Sequence, residues 1–145
     1  MPKVLVSTVI NAPIERVWRT ASDFNGLPAW MPGMKDSTIE DGKAPNVVGA
    51  VRRLSMAGSK DVLRERLEVL DPENFRITYS VLEGPLPVKN IVTSMHLRPI
   101  TDSFGTLGEW STQFDTAPGK EEEGEQFMAR VFGAGFRALK RYLGV

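Results

Sequence analysis

The apolar positions of the chain follow several patterns in succession, and each predicts a different kind of element. Residues 3–10 are rich in β-branched side chains and predict a strand, which the sequence Asn11-Ala12-Pro13 ends. Apolar residues then recur at helical spacing over 14–21 and predict a short helix. Two glycines and two prolines within 24–33 leave room only for a loop or a short helical turn. The chain therefore opens with one strand followed by one or two short helices.

Between Met34 and Asp115 apolar and polar residues alternate at a period of two, and turn residues interrupt them at short intervals. Alternation is typical of strands that bury one face, and closely spaced turns are typical of an antiparallel meander. The turns divide this segment into six predicted strands, over residues 34–41, 47–56, 61–70, 75–83, 90–99 and 105–115.

The last predicted element is the longest, a helix over residues 121–143. Glutamates crowd its first turns and basic residues its last turns, and both placements suit the helix macrodipole. One apolar line runs along it through Phe127, Val131, Gly135 and Leu139. The element order is β-α-β6-α, which predicts a single α+β domain over residues 1–145.

The composition limits the partners to expect. Lysine plus arginine equals aspartate plus glutamate at 18 each, so no net charge would draw the protein to nucleic acid. The first residues lack the apolar core of a signal peptide, and no stretch reaches the roughly 18 apolar residues of a membrane helix. We therefore expect a cytoplasmic protein without stable membrane insertion. The sequence leaves the oligomeric state open.

Residues suited to metal or nucleophilic chemistry are scarce. Cysteine is absent, which excludes disulfides, thiolate metal sites and a cysteine nucleophile. The only histidine, His96, falls on the outward face of its strand by alternation. No glycine-rich phosphate loop follows a strand. The sequence predicts neither a metal site nor a cofactor.

Two charged residues interrupt the otherwise apolar inward faces of the predicted strands. They are Arg52 and Glu65, on strands joined by the turn Ala57-Gly58-Ser59. A buried charge without a partner costs several kcal/mol, so we expect the two side chains to be paired or hydrated. These residues form a structural ion pair, extend their charged ends to solvent from an edge of the sheet, or make a polar contact inside an apolar ligand cavity.

The inward faces and the apolar line of the helix predict a shared cavity of roughly 300–1,000 Å³, the usual range for ligand sites. Alternation also assigns Val48 and Val69 to the inward faces. The candidate ligand-binding residues are Arg52, Leu54, Glu65, Leu67, Tyr79, Val81, Ile91, Thr93, Met95, Trp110, Phe127, Val131 and Gly135.

Two features of these residues leave alternatives open. The sequence Gly133-Ala134-Gly135 removes bulk in mid-helix, which indicates either close helix–sheet packing or room for a ligand. The candidates for catalysis are Arg52, Glu65 and Tyr79, because an arginine can stabilise an enolate and a buried carboxylate can act as acid or base. The same side chains suit binding without reaction equally well.

Several segments, taken in order, resemble the SRPBCC (START-like, polyketide cyclase/dehydrase) superfamily over nearly the whole chain. These segments are Ile10–Trp18, Trp30–Met34, Val48–Leu54, Arg64–Asp71, Tyr79–Asn90 and Trp110–Phe114. The resemblance implies a helix-grip fold, in which a curved seven-stranded antiparallel sheet wraps around the long C-terminal helix and encloses a pocket. The superfamily contains lipid carriers, hormone receptors and ring cyclases, so the fold alone does not decide the function.

Within this superfamily, Arg66–Asp71 is also similar to a segment of the plant abscisic-acid receptors. That similarity implies that Glu65 is a pocket carboxylate and adds Lys35 as a ligand-binding candidate. It places a gate loop at Met56–Lys60 and a latch loop at Gly84–Asn90. The chain lacks the receptors' Ser-Gly-Leu-Pro-Ala gate and His-Arg-Leu latch, which argues against hormone reception and leaves a lidded pocket as the expectation.

Three functions are consistent with these observations. The first is binding or carrying of a small, mostly apolar ligand that is lipid-, polyketide- or aromatic-like. The second is a polyketide cyclase, aromatase or dehydratase that uses the pocket Arg, Glu and Tyr for acid–base chemistry. The third is a structural or interaction protein with a collapsed pocket.

Overall fold

Seven strands and two α-helices make up most of the chain, and the computed structural model describes residues 1–145. The elements are β1 (Lys3–Ile10), α1 (Ile14–Ala21), a 3-10 helix (Phe24–Ala29), β2 (Met34–Ile39), a 3-10 turn (Glu40–Gly42), β3 (Val51–Met56), β4 (Val62–Asp71), β5 (Arg76–Glu83), β6 (Lys89–Pro99), β7 (Thr106–Asp115) and α2 (Glu121–Leu143). The order β-α-β6-α expected from the sequence is confirmed. No helix has both the length and the apolar character needed to cross a bilayer.

The strands form one antiparallel sheet in the order β1-β7-β6-β5-β4-β3-β2. Strands β2 to β7 are a meander, and β1 closes the order by pairing with β7, from Lys3 opposite Gln113 to Ile10 opposite Thr106. Helix α2 packs against this sheet through side chains that reach Trp110 and Gly108 of β7. This is the curved seven-stranded helix-grip fold that the resemblance implied.

The assignment of Val48 to the inward face is wrong, because β3 begins at Val51 rather than at residue 47. Gly49 has a φ of +96°, and the amide of Ala50 donates to the carbonyl of Val47, so a turn precedes the strand. Val48 lies in that turn and is 59% exposed.

The assignment of Val69 is also wrong, and a β-bulge in β4 is the reason. Leu67 pairs with Tyr79 but Val69 pairs with Thr78, so two residues of β4 face one residue of β5. The alternation changes phase at that point. Val69 therefore points outward, and Leu70 packs against the core instead.

Helix α2 buries two adjacent lines, the predicted one in its second half at Gly135 and Leu139, and another one position further along. Met128, Phe132 and Phe136 are each at most 5% exposed, whereas Phe127 and Val131 are half-buried at the edge of the same face. The indole of Trp110 stacks on Phe132 with ring centroids 4.7 Å apart. This contact joins the helix to β7, the strand next to the edge strand β1.

Candidate functional site

The ion pair between Arg52 and Glu65 lies on the concave face of the sheet, where the two residues face each other across β3 and β4. Arg52 Nε donates to Glu65 Oε1 at 2.8 Å, and Arg52 Nη2 lies 2.6 Å from the same oxygen. Their residues are 4% and 6% exposed. A positive and a negative side chain that face each other across neighbouring strands can be buried together, because each is the counter-charge of the other.

Further contacts hold the guanidinium of Arg52 on several sides. Its Nη1 donates to the carbonyl of Phe24 at 2.7 Å. The rings of Phe24 and Tyr79 lie 4.2 Å and 4.9 Å from its central carbon, at cation–π distance. The 3-10 helix that begins at Phe24 thereby becomes attached to β3. Arg52 is anchored by the chain itself, with its charge balanced by Glu65.

Glu65 keeps one carboxylate oxygen unused by the chain. Both contacts with Arg52 fall on Oε1, and Oε2 has no hydrogen-bond donor within the protein. Glu65 lines the cavity described below. Its free oxygen is therefore an acceptor available to a bound molecule.

Tyr79 is the second polar group with capacity to spare. Its hydroxyl accepts a hydrogen bond from Trp110 Nε1 at 3.1 Å, and its own hydrogen has no acceptor in the chain. Burial raises the pKa of Tyr79, and the neighbouring Glu65 carboxylate raises it further. The hydroxyl therefore stays protonated at neutral pH and can donate.

A threonine pair continues this row of polar groups across the sheet. Thr93 lies opposite Tyr79 on one side and Thr112 on the other. Thr93 donates to Thr112 at 3.1 Å, and Thr112 donates to the carbonyl of Val92 at 3.1 Å. Both hydroxyl hydrogens are thus used internally, which leaves the oxygen of Thr93 as an acceptor only.

A cavity of about 180 Å³ lies between the concave face of the sheet, α2 and the segment that follows α1. Fourteen of its eighteen lining residues are hydrophobic. They come from three sources, which are the 27–34 segment, strands β3 to β7 with the β5–β6 loop, and α2. The lining residues are Leu27, Met31, Pro32, Met34, Arg52, Met56, Leu63, Glu65, Tyr79, Val81, Leu86, Ile91, Thr93, Trp110, Phe127, Met128, Val131 and Phe132.

Nine of the residues proposed from the sequence line this cavity, and five do not. Those in the lining are Arg52, Glu65, Tyr79, Val81, Ile91, Thr93, Trp110, Phe127 and Val131. Leu54, Leu67 and Met95 are buried in the core outside the lining, because close packing covers them. Lys35 is exposed on β2, and Gly135 packs against Trp110.

The volume is smaller than the expected 300–1,000 Å³, and the close approach of α2 to the sheet explains the difference. A Cβ added at Gly135 would lie 2.7 Å from Trp110 Cζ3 and 3.0 Å from the sulfur of Met31. Of the two readings of this glycine, close helix–sheet packing is the correct one. The stacked rings of Trp110 and Phe132 occupy space that a ligand would otherwise use.

The sequence reasoning missed the other nine lining residues. They are Leu27, Met31, Pro32, Met34, Met56, Leu63, Leu86, Met128 and Phe132. Leu27, Met31 and Pro32 lie in a segment without periodicity, while Met128 and Phe132 lie one position from the predicted apolar line of the helix. Four of the six methionines of the chain are in this group, but they are spread from position 31 to position 128, so only the folded structure shows that they cluster.

The two loops compared with a gate and a latch each contribute to the cavity. Met56, at the end of β3, and Leu86, in the loop between β5 and β6, both line it. Gly84 packs closely on Leu63, where an added Cβ would lie 2.5 Å from its Cδ1. The second loop is thereby held against β4.

His96 lies outside the cavity, on the outer face of the sheet. Arg76 Nη2 lies 3.3 Å from its Nδ1. Partial burial lowers the pKa of His96, and the positive charges of Arg98 and Arg76 lower it further. No group of three histidine, aspartate or glutamate side chains in the structure could hold a metal ion.

Comparison with known proteins gives one family over almost the full chain. The family model described as polyketide cyclase/dehydrase and lipid transport matches residues 1–144. The structure of XoxI from Bacillus cereus is 30% identical, with a TM-score of 0.85 over 97% of this chain and 94% of its own. A Nitrosospira multiformis protein is 31% identical, with a TM-score of 0.83 over 97% and 94%. A Thermobifida fusca protein is 30% identical, with a TM-score of 0.86 over 98% and 93%.

Proposed function

The chain belongs to the polyketide cyclase/dehydrase and lipid transport family, and we propose that it binds or carries one small, mostly apolar molecule between the sheet and α2. The observation that carries this proposal is the cavity itself. It has a mainly hydrophobic lining and three polar groups with unused hydrogen-bonding capacity, which are Glu65 Oε2, the Tyr79 hydroxyl and the acceptor oxygen of Thr93. Ligand sites typically combine an apolar wall with a few such groups that orient the bound molecule.

Native mass spectrometry of freshly purified protein tests this directly. We expect a fraction of the molecules to carry one extra small mass, which disappears after denaturation. A cavity-filled variant, Val131→Phe, should lose that mass because the larger ring occupies part of the 180 Å³. The matched control is Arg137→Phe, which places the same ring on the exposed face of the same helix.

The methionine methyl groups offer a second readout with internal controls. Toluene titrated into protein labelled with ¹³C at the methionine methyls should shift the signals of Met31, Met34, Met56 and Met128, which line the cavity. The signals of Met1 and Met95, an exposed and a core methionine outside the lining, should stay in place. If no cavity methyl responds at millimolar toluene and no mass co-purifies, the binding proposal is wrong.

Catalysis is the second candidate function, and the position of Glu65 favours it. Glu65 lines a largely apolar cavity beside the Tyr79 hydroxyl and has one carboxylate oxygen without a partner in the chain. That oxygen could accept a proton from a substrate, while Tyr79 donates to the oxygen that becomes negative. Arg52 would hold Glu65 in place rather than contact the substrate. A polyketide cyclase, aromatase or dehydratase would use such an arrangement. The expected result for this alternative is that wild type turns over a short β-keto thioester mimic, whereas Glu65→Gln does not under conditions where circular dichroism shows the variant to be folded.

A further inference from the structure

The polar wall of the cavity carries no net charge, and this restricts the ligand. Arg52 and Glu65 neutralise each other at 2.6 Å, and both are buried. The guanidinium also has the Phe24 carbonyl and two aromatic faces as partners. A ligand carboxylate or phosphate would bring an extra negative charge beside Glu65 without an uncompensated cation to receive it. Burying such a charge is costly, so the site disfavours anions.

The unused hydrogen-bonding groups are of two complementary kinds. Glu65 Oε2 can only accept, and the Tyr79 hydroxyl, which accepts from Trp110, has its hydrogen free to donate to a ligand. Glu65 pairs with Val81 and Leu67 pairs with Tyr79, so Glu65 and Tyr79 are diagonal neighbours on β4 and β5. Diagonal neighbours on one face of a sheet are within reach of long side chains. One ligand group that both donates and accepts, such as a hydroxyl, can therefore satisfy both.

The size and the walls of the cavity define the rest of the ligand. A volume of about 180 Å³ is close to that of an engineered apolar cavity of about 150 Å³ that takes up benzene. The walls carry aromatic rings and four methionines, whose sulfur atoms make favourable contacts with aromatic rings. A single ring fits this space, whereas a fused polycyclic molecule or a long acyl chain exceeds it.

We infer that the ligand class is an uncharged molecule with one ring that bears a hydroxyl group, as in a phenol or a cyclic enol, and that anions are excluded. This inference rests on the proposed binding function and specifies its ligand. The hydroxyl donates to Glu65 Oε2 and accepts from Tyr79, while the ring lies against Trp110, the methionines and α2.

Two pairs of probes of matched shape test the inference by the methionine methyl shifts. p-Cresol and p-xylene differ only in a hydroxyl in place of a methyl group. A purely apolar cavity favours p-xylene because the hydroxyl loses its water on burial. We expect p-cresol to bind about tenfold tighter, since each hydrogen bond to a charged or preorganised partner is worth roughly that factor. Benzamide and benzoate differ in charge, and we expect benzamide to bind at least about tenfold tighter at pH 7.

The outcomes separate this inference from the broader proposal. If p-xylene binds as tightly as p-cresol, or benzoate as tightly as benzamide, the ligand class is wrong while binding in the cavity stands. If none of the four probes shifts a cavity methyl, both the class and the binding proposal fail. These comparisons use the wild-type protein and do not depend on whether a variant folds.

The Tyr79→Phe variant tests whether the Tyr79 hydroxyl is the donor that causes the preference for p-cresol. It should weaken p-cresol binding about tenfold and leave p-xylene binding unchanged, because only the hydroxyl uses that hydrogen bond. The other tyrosine, Tyr142, is 54% exposed on α2, so Tyr142→Phe is the matched control and should change neither affinity. An unshifted Met95 methyl signal verifies that the core of each variant is intact. Equal loss of both affinities in Tyr79→Phe would contradict the assignment.

Discussion

Arg52 and Glu65 are the two charged residues buried on the concave face of the sheet. Each has a charge that would be costly alone, and each is buried beyond nine-tenths of its surface. Arg52 is additionally bonded to the Phe24 carbonyl, so it connects β3 to the 3-10 helix as well as to β4. One oxygen of Glu65 takes no part in the ion pair. The contribution of the pair to the free energy of unfolding and its contribution to ligand affinity can therefore be measured separately.

Removal of one partner of this pair should be costly. We expect Arg52→Met or Glu65→Gln to lower the free energy of unfolding by about 3–5 kcal/mol, because the remaining charge is left buried without its counter-charge. The double variant should be more stable than either single variant, since neither charge is then present. Urea unfolding followed by circular dichroism measures all three.

The surface pair of Arg98 and Glu109 is the control for that experiment. Arg98 Nε lies 2.7 Å from Glu109 Oε1, but the two side chains are 55% and 26% exposed. Arg98→Met should change the free energy of unfolding by at most about 1 kcal/mol, as is usual for exposed pairs. Equal costs at both pairs would mean that burial does not govern the energy of the Arg52–Glu65 contact.

His96 predicts a pH dependence of stability with a definite sign. Its pKa in the folded protein is lowered by partial burial, then by Arg98 and Arg76, so the unfolded chain binds a proton first as the pH falls. Stability should therefore be constant above the unfolded pKa of about 6.5 and decrease below it. Urea midpoints at pH 7.5 and 5.5 should differ less in His96→Gln than in wild type.

The lowered pKa values of carboxylates do not interfere in this pH range. Hydrogen bonds lower the pKa of Glu40, Glu68 and Asp71, from Arg64, Arg66 and Asn74 respectively. Those groups take up protons below about pH 4.5, so their contribution to stability is lost only at lower pH. A His96→Gln protein with the full wild-type pH dependence between 7.5 and 5.5 would rule out the histidine as its source.

At the scale of elements, two glycines only two residues apart in α2 have opposite surroundings. Gly135 faces the sheet, with Trp110 and Met31 at contact distance. Gly133 has only Arg137 Nη1 at 3.4 Å from where its Cβ would lie. The first glycine is needed for the close approach of helix and sheet, and the second leaves a helix position with low intrinsic propensity.

We expect alanine substitution at these two glycines to change stability in opposite directions. Gly135→Ala should lower the free energy of unfolding by about 1–3 kcal/mol, because its methyl group collides with the Trp110 ring. Gly133→Ala should raise it by about 0.5–1 kcal/mol through higher helix propensity. Both values come from the same urea unfolding measurement. A stabilising Gly135→Ala would contradict the close packing of α2 on β7.

The elements also indicate how far the sequence could predict the fold and the site. Alternation correctly put Arg52 opposite Glu65, since the hairpin of β3 and β4 has no irregularity between them. It failed for Val69 because Val69 and Leu70 are both apolar, so the sequence does not show that a β-bulge turns Leu70 inward instead. The rotation of α2 was ambiguous because apolar residues occupy adjacent lines through Phe127 and through Met128. Only packing against Trp110 decides between those lines.

At the scale of the whole molecule, the two ends of the chain close the structure together. Strand β1 pairs with β7, and Lys140 near the end of α2 donates to Thr8 at 3.0 Å. Arg16 of α1 donates to the carbonyl of Leu143. These long-range contacts attach the C-terminal end of α2 to β1 and to α1. Residues 27–34 complete the wall of the cavity. The sequence could not predict this position, because the segment has no periodicity from which its inward side could be read.

Filling the cavity should stabilise the protein and prevent ligand binding, and one substitution can test both effects. The cavity is a volume of about 180 Å³ that no side chain fills, although protein interiors are otherwise close-packed. Val131→Phe places a ring in that volume from the half-buried edge of α2. We expect the ligand-free variant to be more stable than wild type by about 0.5–2 kcal/mol, as cavity filling commonly achieves.

Saturating p-cresol should raise the melting temperature of wild type and leave that of the variant unchanged, because only the wild-type cavity can bind it. The Arg137→Phe control should keep the ligand-induced shift. A Val131→Phe protein that is less stable yet still shifted by p-cresol would mean that the ligand binds elsewhere.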